Sequence, residues 1–411
     1  MTPSPRSRRW DYDLLRVGSM VGVVYLHCAA AALRSASGAV WHFANLASSL
    51  ATAAVPLFFM LSGALLLSQE GTADLSALFG RRLPKVLLPL AAWSALVVLL
   101  TLLRAGPAAA LEQLSALPNT PAMVPYWFLY ALIPVYLLSP FLKKMADGLT
   151  DAHWNYLVLL WLVLTIGVNT VRDFLPLESA WRTVFTVHWT LNVNLIGGYL
   201  GYFLLGARLA RLRRLPSRRV LWLVSLACVL IIAGGTWWLR RSTGAYDESF
   251  KSYLHVFTAL LSGAVFLLAR SYGEARRSGR LLTFCSGLSF GIYLAHPLAI
   301  SFWERLWPGW MGSTFAGMGA HLLFFAAVLL SCFAGVLLAA SLPGVCFLLT
   351  GQSFRTACPA PSRASPSRCS PSSCAIWRKR IPSGERTFRK TRPISNILSR
   401  KREMPCMRSC C

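Results

Sequence analysis

Charged side chains are scarce in this chain, and acidic ones are the scarcest. Only 14% of the 411 residues are charged, against roughly 25% in soluble domains, and Asp and Glu together number 15. This scarcity excludes an ordinary soluble globular domain. A CxxC pair is also missing, and the 11 cysteines do not follow the spacing of a zinc module. We therefore expect neither a metal site nor a disulfide framework.

Long apolar runs take the place of the missing charge. Hydrophobic residues make up 55% of the chain, and runs of about 20 of them recur, each long enough to cross roughly 30 Å of hydrocarbon. The sequence predicts an all-α polytopic membrane protein with about ten transmembrane helices. The first run is too long for a cleavable signal peptide and is expected to remain as an anchor. The ten segments are expected at residues 12–34, 41–67, 84–104, 123–142, 154–174, 189–207, 220–239, 252–269, 281–303 and 314–342.

Lys and Arg in the connections predict the orientation of these segments. One alternate set of connections contains 18 basic residues and the other contains 8. Because basic residues concentrate in cytoplasmic loops, both termini are expected to be cytoplasmic. Membrane insertion and a basic tail account for the formal net charge of +26, so we expect membrane lipid and no nucleic acid among the partners.

Composition divides the chain into three regions. We expect a cytoplasmic N-terminus at residues 1–11, a membrane domain at 12–350 and a basic, low-complexity tail at 351–411. The tail is rich in Ser, Pro, Arg and Cys, and such a composition cannot bury a core. Three interpretations stay open, namely a disordered extension, a segment attracted to anionic lipid, and a spurious terminus. The abrupt change in composition favours the last of these.

Two ionisable residues lie in the first apolar segment. Ten residues separate Arg16 from His27, so an α-helix brings both to one face, roughly 16 Å apart along its axis. Ionisable side chains within a membrane are costly and are functional candidates. A cation near the cytoplasm with a titratable base three turns deeper suits a donor substrate that has an anionic head. Asp13, one turn before Arg16, is a candidate to orient it. The alternatives are a structural histidine and an ordinary interfacial ion pair.

The ninth segment contains a second group of candidates. Gly287, Ser289 and Gly291 match the G-x-S-x-G pattern of hydrolases, but that pattern needs a turn between a strand and a helix, so we exclude a hydrolase. The two glycines are expected to allow close helix contact. Ser289, Tyr293 and His296 share one helix face and are candidates for catalytic support. Packing and an aromatic belt are the alternative explanation.

A basic turn precedes the third segment. Arg81, Arg82 and Lys85 are candidates to bind phosphates, since guanidinium and ammonium groups form charge-assisted hydrogen bonds with phosphate oxygens. The general excess of basic residues in cytoplasmic loops explains the same pattern.

Four further residues are candidates for the wall of a cavity. Phe59 and Ser62 follow a proline in a segment that is expected to bend beside a cavity. Trp127 and Tyr130 begin the fourth segment, either as a wall for an acceptor or as an interfacial aromatic belt.

The order of these motifs resembles that of the acyltransferase-3 family of bacterial integral-membrane acyltransferases. The resemblance covers about residues 9–350 and rests on DYDLLR followed, after ten intervening residues, by a histidine, and on VPLFFMLSGALLL, RRLPKVLLP, YWFLYALIPVYLLSP and SFGIYLAHP. It implies a ten-helix core in the bacterial cytoplasmic (inner) membrane. It also implies transfer of an acyl group, usually acetyl from acetyl-CoA, to a hydroxyl of a cell-surface carbohydrate or a lipid-linked glycan, without a tightly bound cofactor. Arg16 and His27 match the family residues most associated with activity.

The resemblance gives the candidates their expected roles. Arg16, Arg82 and Lys85 are expected near the phosphates of acyl-CoA, although Lys85 stands where the family often has a second arginine and cannot bind a phosphate in bidentate fashion. His27 is expected to accept the proton of the attacking hydroxyl, or first to take the acyl group itself. Arg16 and His27 are expected to face one shared wet chamber.

A proton-coupled transporter is the alternative function. Helices with buried ionisable residues and prolines also describe such carriers. The sequence contains no clear inverted repeat, because the first and ninth segments both contain histidine but have different flanking patterns.

Overall fold

The computed structural model describes residues 8–176, 178–186, 198–273, 276–307, 317–342 and 345–352. These residues form helices and connections, and the isolated bridge between Arg9 and Arg277 is the one β-type pairing among them. The helices are α1 (Trp10–Ser35), α2 (Gly38–Ala51), α3 (Ala54–Leu66), α4 (Leu75–Ala77), α5 (Leu83–Ala116), α6 (Trp127–Gly148), α7 (Asp151–Trp161), α8 (Val168–Phe174), α9 (Ala180–Val184), α10 (Tyr199–Arg211), α11 (Arg218–Thr243), α12 (Val256–Gly273), α13 (Arg280–Leu306), α14 (Met318–Ser341) and α15 (Cys346–Thr350). The all-α prediction is confirmed.

Nine helical stretches among the described residues are long and apolar enough to cross a membrane. They coincide with nine of the ten predicted segments, which confirms a polytopic membrane protein. The sixth predicted segment, 189–207, is described only from Gly198 onward, and α10 begins in its second half. The first half of that prediction lies outside the described residues.

Prolines and glycines bend several of the crossings. The second crossing consists of α2 and α3, which are separated at Thr52 and Ala53, just before Pro56. In α5, Gly106 has a φ of 87°, which favours glycine, and Pro107 follows it. The straight part of α5 therefore ends close to residue 104, where the sequence predicts the end of the third segment.

The bundle interior depends on a close approach between α3 and α10. A Cβ atom on Gly63 would overlap the backbone of Phe203, and one on Gly206 would overlap the backbone of Met60. Small residues let two membrane helices come this close, and their backbones then pack directly. Phe203 is itself fully buried, so α10 lies in the core of the fold.

Helices α1 and α13 run parallel, side by side. Arg16 of α1 contacts Ser286 of α13, and eleven residues further along α1 His27 faces His296, ten residues beyond Ser286. Parallel neighbours need an odd number of crossings between them. Six of the candidate spans lie between α1 and α13, so we infer that α10 belongs to a seventh. This count agrees with the ten crossings predicted from the loop charges.

Candidate functional site

Arg16 is held in place by an aspartate and a serine near the start of α1. Its Nη1 donates to Ser286 Oγ at 2.9 Å and to Asp13 Oδ1 at 3.3 Å. Ser286 Oγ in turn donates to the same Asp13 oxygen at 2.6 Å. Asp13 is 3% exposed, and a buried carboxylate is stabilised by such charged and hydroxyl partners. Asp13 therefore contacts Arg16 as expected, and Ser286 is a partner that the sequence analysis did not identify.

His27, His296 and Tyr293 form a layer of rings deeper in the bundle. The ring centroids of His27 and His296 lie 5.1 Å apart, and those of His296 and Tyr293 lie 5.7 Å apart. The Nδ1 of His296 is 2.5 Å from the carbonyl oxygen of Tyr293. A carbonyl only accepts, so we assign the proton to Nδ1, and Nε2 keeps its lone pair. The Tyr293 hydroxyl donates to the carbonyl oxygen of Pro125.

One cavity, the inner cavity, lies on the side of this layer that faces Arg16. Its volume is about 380 Å³, within the range of about 300–1,000 Å³ typical of small-molecule sites. Its wall is mainly aromatic and aliphatic, with a few polar groups. The lining residues that matter for the argument are Arg16, Ser62, Lys85, Tyr136, Ser289 and Tyr293.

A second cavity, the outer cavity, lies on the opposite side of the layer. It has a volume of about 620 Å³ and is lined by His27 and by polar and aromatic side chains of the connection before α12. Those side chains are Tyr246, Glu248, Ser249, Lys251, Ser252 and Tyr253. Burial raises the pKa of the Tyr246 phenol well above its usual value, so this hydroxyl stays protonated and can donate a hydrogen bond.

A third cavity, the basic chamber, lies at the end of the bundle that the loop charges predict to be cytoplasmic. Its volume is about 440 Å³, and its lining includes Arg8, Arg9, Arg16, Arg211 and Asp13. Four arginines against one aspartate leave a formal charge of +3 on the lining. Arg16 belongs to both the basic chamber and the inner cavity.

Residues 9–341 match the family model Acyl_transf_3, which describes an acyltransferase domain. The chain belongs to this acyltransferase family. The match extends from the residue before α1 to the last residue of α14 and therefore includes the Arg16 and His296 clusters. It confirms the resemblance predicted from the motifs. No curated protein and no solved structure matches the chain.

In this acyltransferase Arg16 and His27 line different cavities, contrary to the expectation of one shared chamber. Arg16 lines the inner cavity and His27 lines the outer one. Tyr293 and the fully buried His296 occupy the space between them. Arg16 and His27 lie on one face of α1 and were expected to line one cavity. The rings of Tyr293 and His296, on α13, lie between them and divide that cavity in two.

Of the three basic candidates around the start of α5, Lys85 lines the inner cavity and lies in the first turn of that helix. Arg81 is exposed, and neither it nor Arg82 belongs to the described lining of the three cavities. Arg81 and Arg82 lie in the π turn Leu78–Arg82, whereas Lys85 lies beyond it in α5. Arg82 does interact electrostatically with Tyr136, which lines the inner cavity.

Ser62 and Ser289 both line the inner cavity. The Ser289 hydroxyl donates to the Cys285 carbonyl one turn earlier, at 3.0 Å. Of the residues predicted to share a face of α13, Ser289 and Tyr293 thus reach the cavity, while His296 lies behind them. The predicted glycine contact is present at Gly291, where a Cβ would come within 2.6 Å of Val336 Cγ1.

The remaining wall candidates lie one layer behind the outer cavity or face away from it. Phe59 stacks on Tyr199 at 5.0 Å between ring centroids, and Trp127 packs against Tyr199 and Tyr253. Both tyrosines line the outer cavity, so Phe59 and Trp127 support its wall. The Tyr130 hydroxyl instead donates to a carbonyl of the preceding connection at 2.6 Å.

Lys251 is a lining residue of the outer cavity that the sequence analysis did not single out. Its Nζ lies 2.5 Å from Asn45 Oδ1, 2.9 Å from Ser49 Oγ and 3.3 Å from Thr236 Oγ1. A buried ammonium needs such partners. Within the described part of the chain, no group of three His, Cys, Asp or Glu is arranged to hold a metal ion.

Proposed function

We propose that this acyltransferase moves an acyl group, expected to be acetyl, from acyl-CoA to a hydroxyl of a cell-surface carbohydrate or lipid-linked glycan. The donor enters from the cytoplasmic side of the bacterial inner membrane, and the acceptor binds on the opposite side. No tightly bound cofactor takes part. The observation that carries this proposal is the contact of His27 with His296 between an inner and an outer cavity.

The inner cavity suits the acyl thioester. It has an apolar wall for the acyl and pantetheine groups and two cations, Arg16 and Lys85. Arg16 is fixed by Asp13 and Ser286, so its guanidinium is already oriented before a substrate binds. Pre-positioned charges of this kind stabilise a reaction without reorganisation.

The outer cavity suits a hydroxylated acceptor. Its lining combines tyrosine rings, against which a sugar ring packs, with hydroxyl and carboxylate groups that bind sugar hydroxyls. His27 lies in this wall, so an acceptor hydroxyl that binds there is close to an imidazole.

In the proposed reaction the acceptor oxygen attacks the thioester carbonyl and forms the ester bond. His27 takes the hydroxyl proton, the C–S bond breaks, and the proton passes to the departing CoA thiolate. In the covalent variant, His27 first takes the acyl group from CoA and then passes it to the acceptor. Both variants require Tyr293 to move while His296 stays against His27, so that the acyl carbonyl reaches His27.

The α13 side chains contribute to this step in different ways. Ser289 and Tyr293 already donate their hydroxyl protons to carbonyl oxygens, so either must exchange partners before it can stabilise an oxyanion. Neutral His296 has its proton on Nδ1, so its Nε2 has no proton to donate to an oxyanion. We therefore give His296 the role of positioning His27.

Mass spectrometry of surface glycans tests the proposal directly. Cells that contain the protein are expected to carry O-acyl groups that cells without it lack, and His27→Ala is expected to abolish them at equal membrane levels. The exposed His42 provides the control, since His42→Ala is expected to retain acylation. Normal acylation with His27→Ala would overturn the role of this residue.

Release of CoA separates this function from the transporter alternative. Purified protein in lipid is expected to release CoA from acetyl-CoA when acceptor is present. Uptake of a solute without any acyl donor would indicate a carrier instead.

A further inference from the structure

The basic chamber contains charge that the reaction at His27 does not use. Arg8, Arg9 and Arg211 line it together with Arg16, and Asp13 is the one carboxylate among its described lining residues. Asp13 is already engaged by Arg16 and Ser286, and Arg9 forms an ion pair with Asp11. The chamber therefore offers positive charge to a ligand that is strongly anionic.

Two of these arginines are fixed and still have donors to spare. Arg8 Nη1 donates to the carbonyl of Thr283 at 3.0 Å. Arg211 Nη2 donates to the carbonyl of Leu67 at 3.0 Å, and its guanidinium lies 4.8 Å from the ring centre of Trp154. A guanidinium has five N–H donors, so each can bind a phosphate without losing its anchor.

The chamber is continuous in its lining with the inner cavity. Arg16, Leu65 and Gln69 belong to both walls. The lining changes from cationic in the chamber to apolar in the inner cavity, where Phe58, Phe128 and Leu132 are found. A matching ligand has a polyanionic end and a long, weakly polar arm.

We propose that the basic chamber binds the adenosine-bisphosphate end of the acyl-CoA donor, and that Arg8 and Arg211 contact its phosphates. This inference rests on the proposed function and specifies how the donor lies. The pantetheine arm passes Arg16 into the inner cavity, and the thioester lies toward Tyr293. Arg8 and Arg211 thus distinguish acyl-CoA from thioesters that lack the nucleotide.

Arg16, which the sequence prediction already placed near the phosphates, lines this chamber, and the geometry adds Arg8 and Arg211 to it. Arg81 and Arg82 lie outside the described lining of the chamber. Arg8 lies just before the first predicted membrane segment, and Arg211 lies just after the sixth. Helix packing brings Arg8, two residues before α1, and Arg211, the last residue of α10, to one chamber.

Two donors of different length test the proposal. With acetyl-CoA as donor, Arg8→Gln and Arg211→Gln are each expected to raise KM about tenfold, the loss expected for one charge-assisted hydrogen bond. With S-acetyl-pantetheine, which lacks the nucleotide, kcat/KM is expected to stay at the wild-type value. Arg8→Lys and Arg211→Lys, which retain the charge, are expected to recover part of the affinity for acetyl-CoA.

The short donor also reports on folding. An equal loss with both donors would mean that these arginines support the fold, and no loss with either would mean that the nucleotide binds elsewhere; each result overturns the proposal. Arg214→Gln is the matched control, because Arg214 is exposed three residues beyond Arg211. It is expected to leave both donors unaffected.

Binding of adenosine 3′,5′-bisphosphate tests the chamber without any turnover. Wild-type protein in nanodiscs is expected to bind this nucleotide, more weakly as salt increases, and the Arg8→Gln/Arg211→Gln double variant is expected to lose about a hundredfold in affinity. If the wild type binds the nucleotide but releases no CoA from acetyl-CoA, the proposed function fails and the chamber assignment stands. Equal nucleotide affinity in the double variant overturns the chamber assignment.

Discussion

The imidazole rings of His27 and His296 face each other at 5.1 Å between centroids, with 37° between their planes. They come from two parallel helices, and His296 is held by the backbone carbonyl of Tyr293. The fixed ring of His296 thus restricts the orientation of the His27 ring, which lines the outer cavity. Any change at His296 acts on the orientation of His27.

Replacement of His296 by Asn tests this dependence. We expect the Asn amide to keep a donor near the Tyr293 carbonyl but to leave the side of His27 unsupported. Misplacement of a catalytic group by about 1 Å can cost about 10²-fold, so we expect kcat to fall by about that factor while KM for acetyl-CoA stays constant. Steady-state kinetics in nanodiscs provide the measurement, with His42→Asn as control. A change confined to KM would contradict a positioning role.

Ser286→Ala tests how Arg16 is held. The substitution removes the hydroxyl that links the Arg16 guanidinium to the Asp13 carboxylate. A hydrogen bond to a charged group contributes about 1.5–3 kcal/mol, so we expect KM for acetyl-CoA to rise about tenfold or more. Ser286→Thr retains a hydroxyl and is expected to keep KM near the wild-type value. Equal effects of Ala and Thr would point to packing rather than to the hydrogen bond.

Sequence periodicity could predict the residues of α1 and could single out His296, but it could not predict which side chains lie beside those of α1. The spacing of Arg16 and His27 is a property of one helix, and so is the position of Asp13 one turn earlier. Ser286 and His296 enter the site because α13 packs parallel to α1, which depends on the packing of the whole bundle. A lone serine in an apolar segment gives no signal of its own.

Local backbone geometry bears on which of the phosphate candidates reach the cavities described here. The sequence treats Arg81, Arg82 and Lys85 as one basic turn, but a π turn covers Leu78–Arg82. A π turn contains more residues than an α turn, so it shifts the faces that follow. Hydrophobic periodicity does not report such an insertion.

Gly206→Ala tests the close approach of α10 to α3. A Cβ there would overlap the Met60 backbone, so the two helices must separate along their contact. Overpacking typically costs about 1–3 kcal/mol and sometimes more, and we expect a lower melting temperature and less monodisperse protein in detergent. Gly234→Ala is the control, because a Cβ at Gly234 has no neighbour within 4 Å. Equal stability of the two variants would contradict this packing.

Lys251→Met tests the polar cluster beside the outer cavity. The methionine fills a similar volume but leaves Asn45, Ser49 and Thr236 without the ammonium that lies within 3.3 Å of each side chain. An unsatisfied buried polar group costs about 1–3 kcal/mol, so we expect a clear loss of thermal stability. Lys251→Met combined with Asn45→Leu is expected to recover part of this loss, because it removes one of the abandoned partners. No recovery would mean that the ammonium matters for another reason.

Cysteine labelling tests whether the basic chamber and the outer cavity open to opposite sides. Ser68 lines the chamber and Ser252 lines the outer cavity, and the loop charges predict that the chamber end is cytoplasmic. In a background without the 11 native cysteines, we expect a membrane-impermeant maleimide to label Ser252→Cys in intact cells and Ser68→Cys only after lysis. Labelling of Ser68→Cys alone from outside would mean that α1 crosses in the reverse sense, whereas labelling of both from outside would mean that the membrane does not separate the chamber from the outer cavity. The donor and the acceptor would then approach from one side, and the layer of Tyr293 and His296 would have nothing to separate.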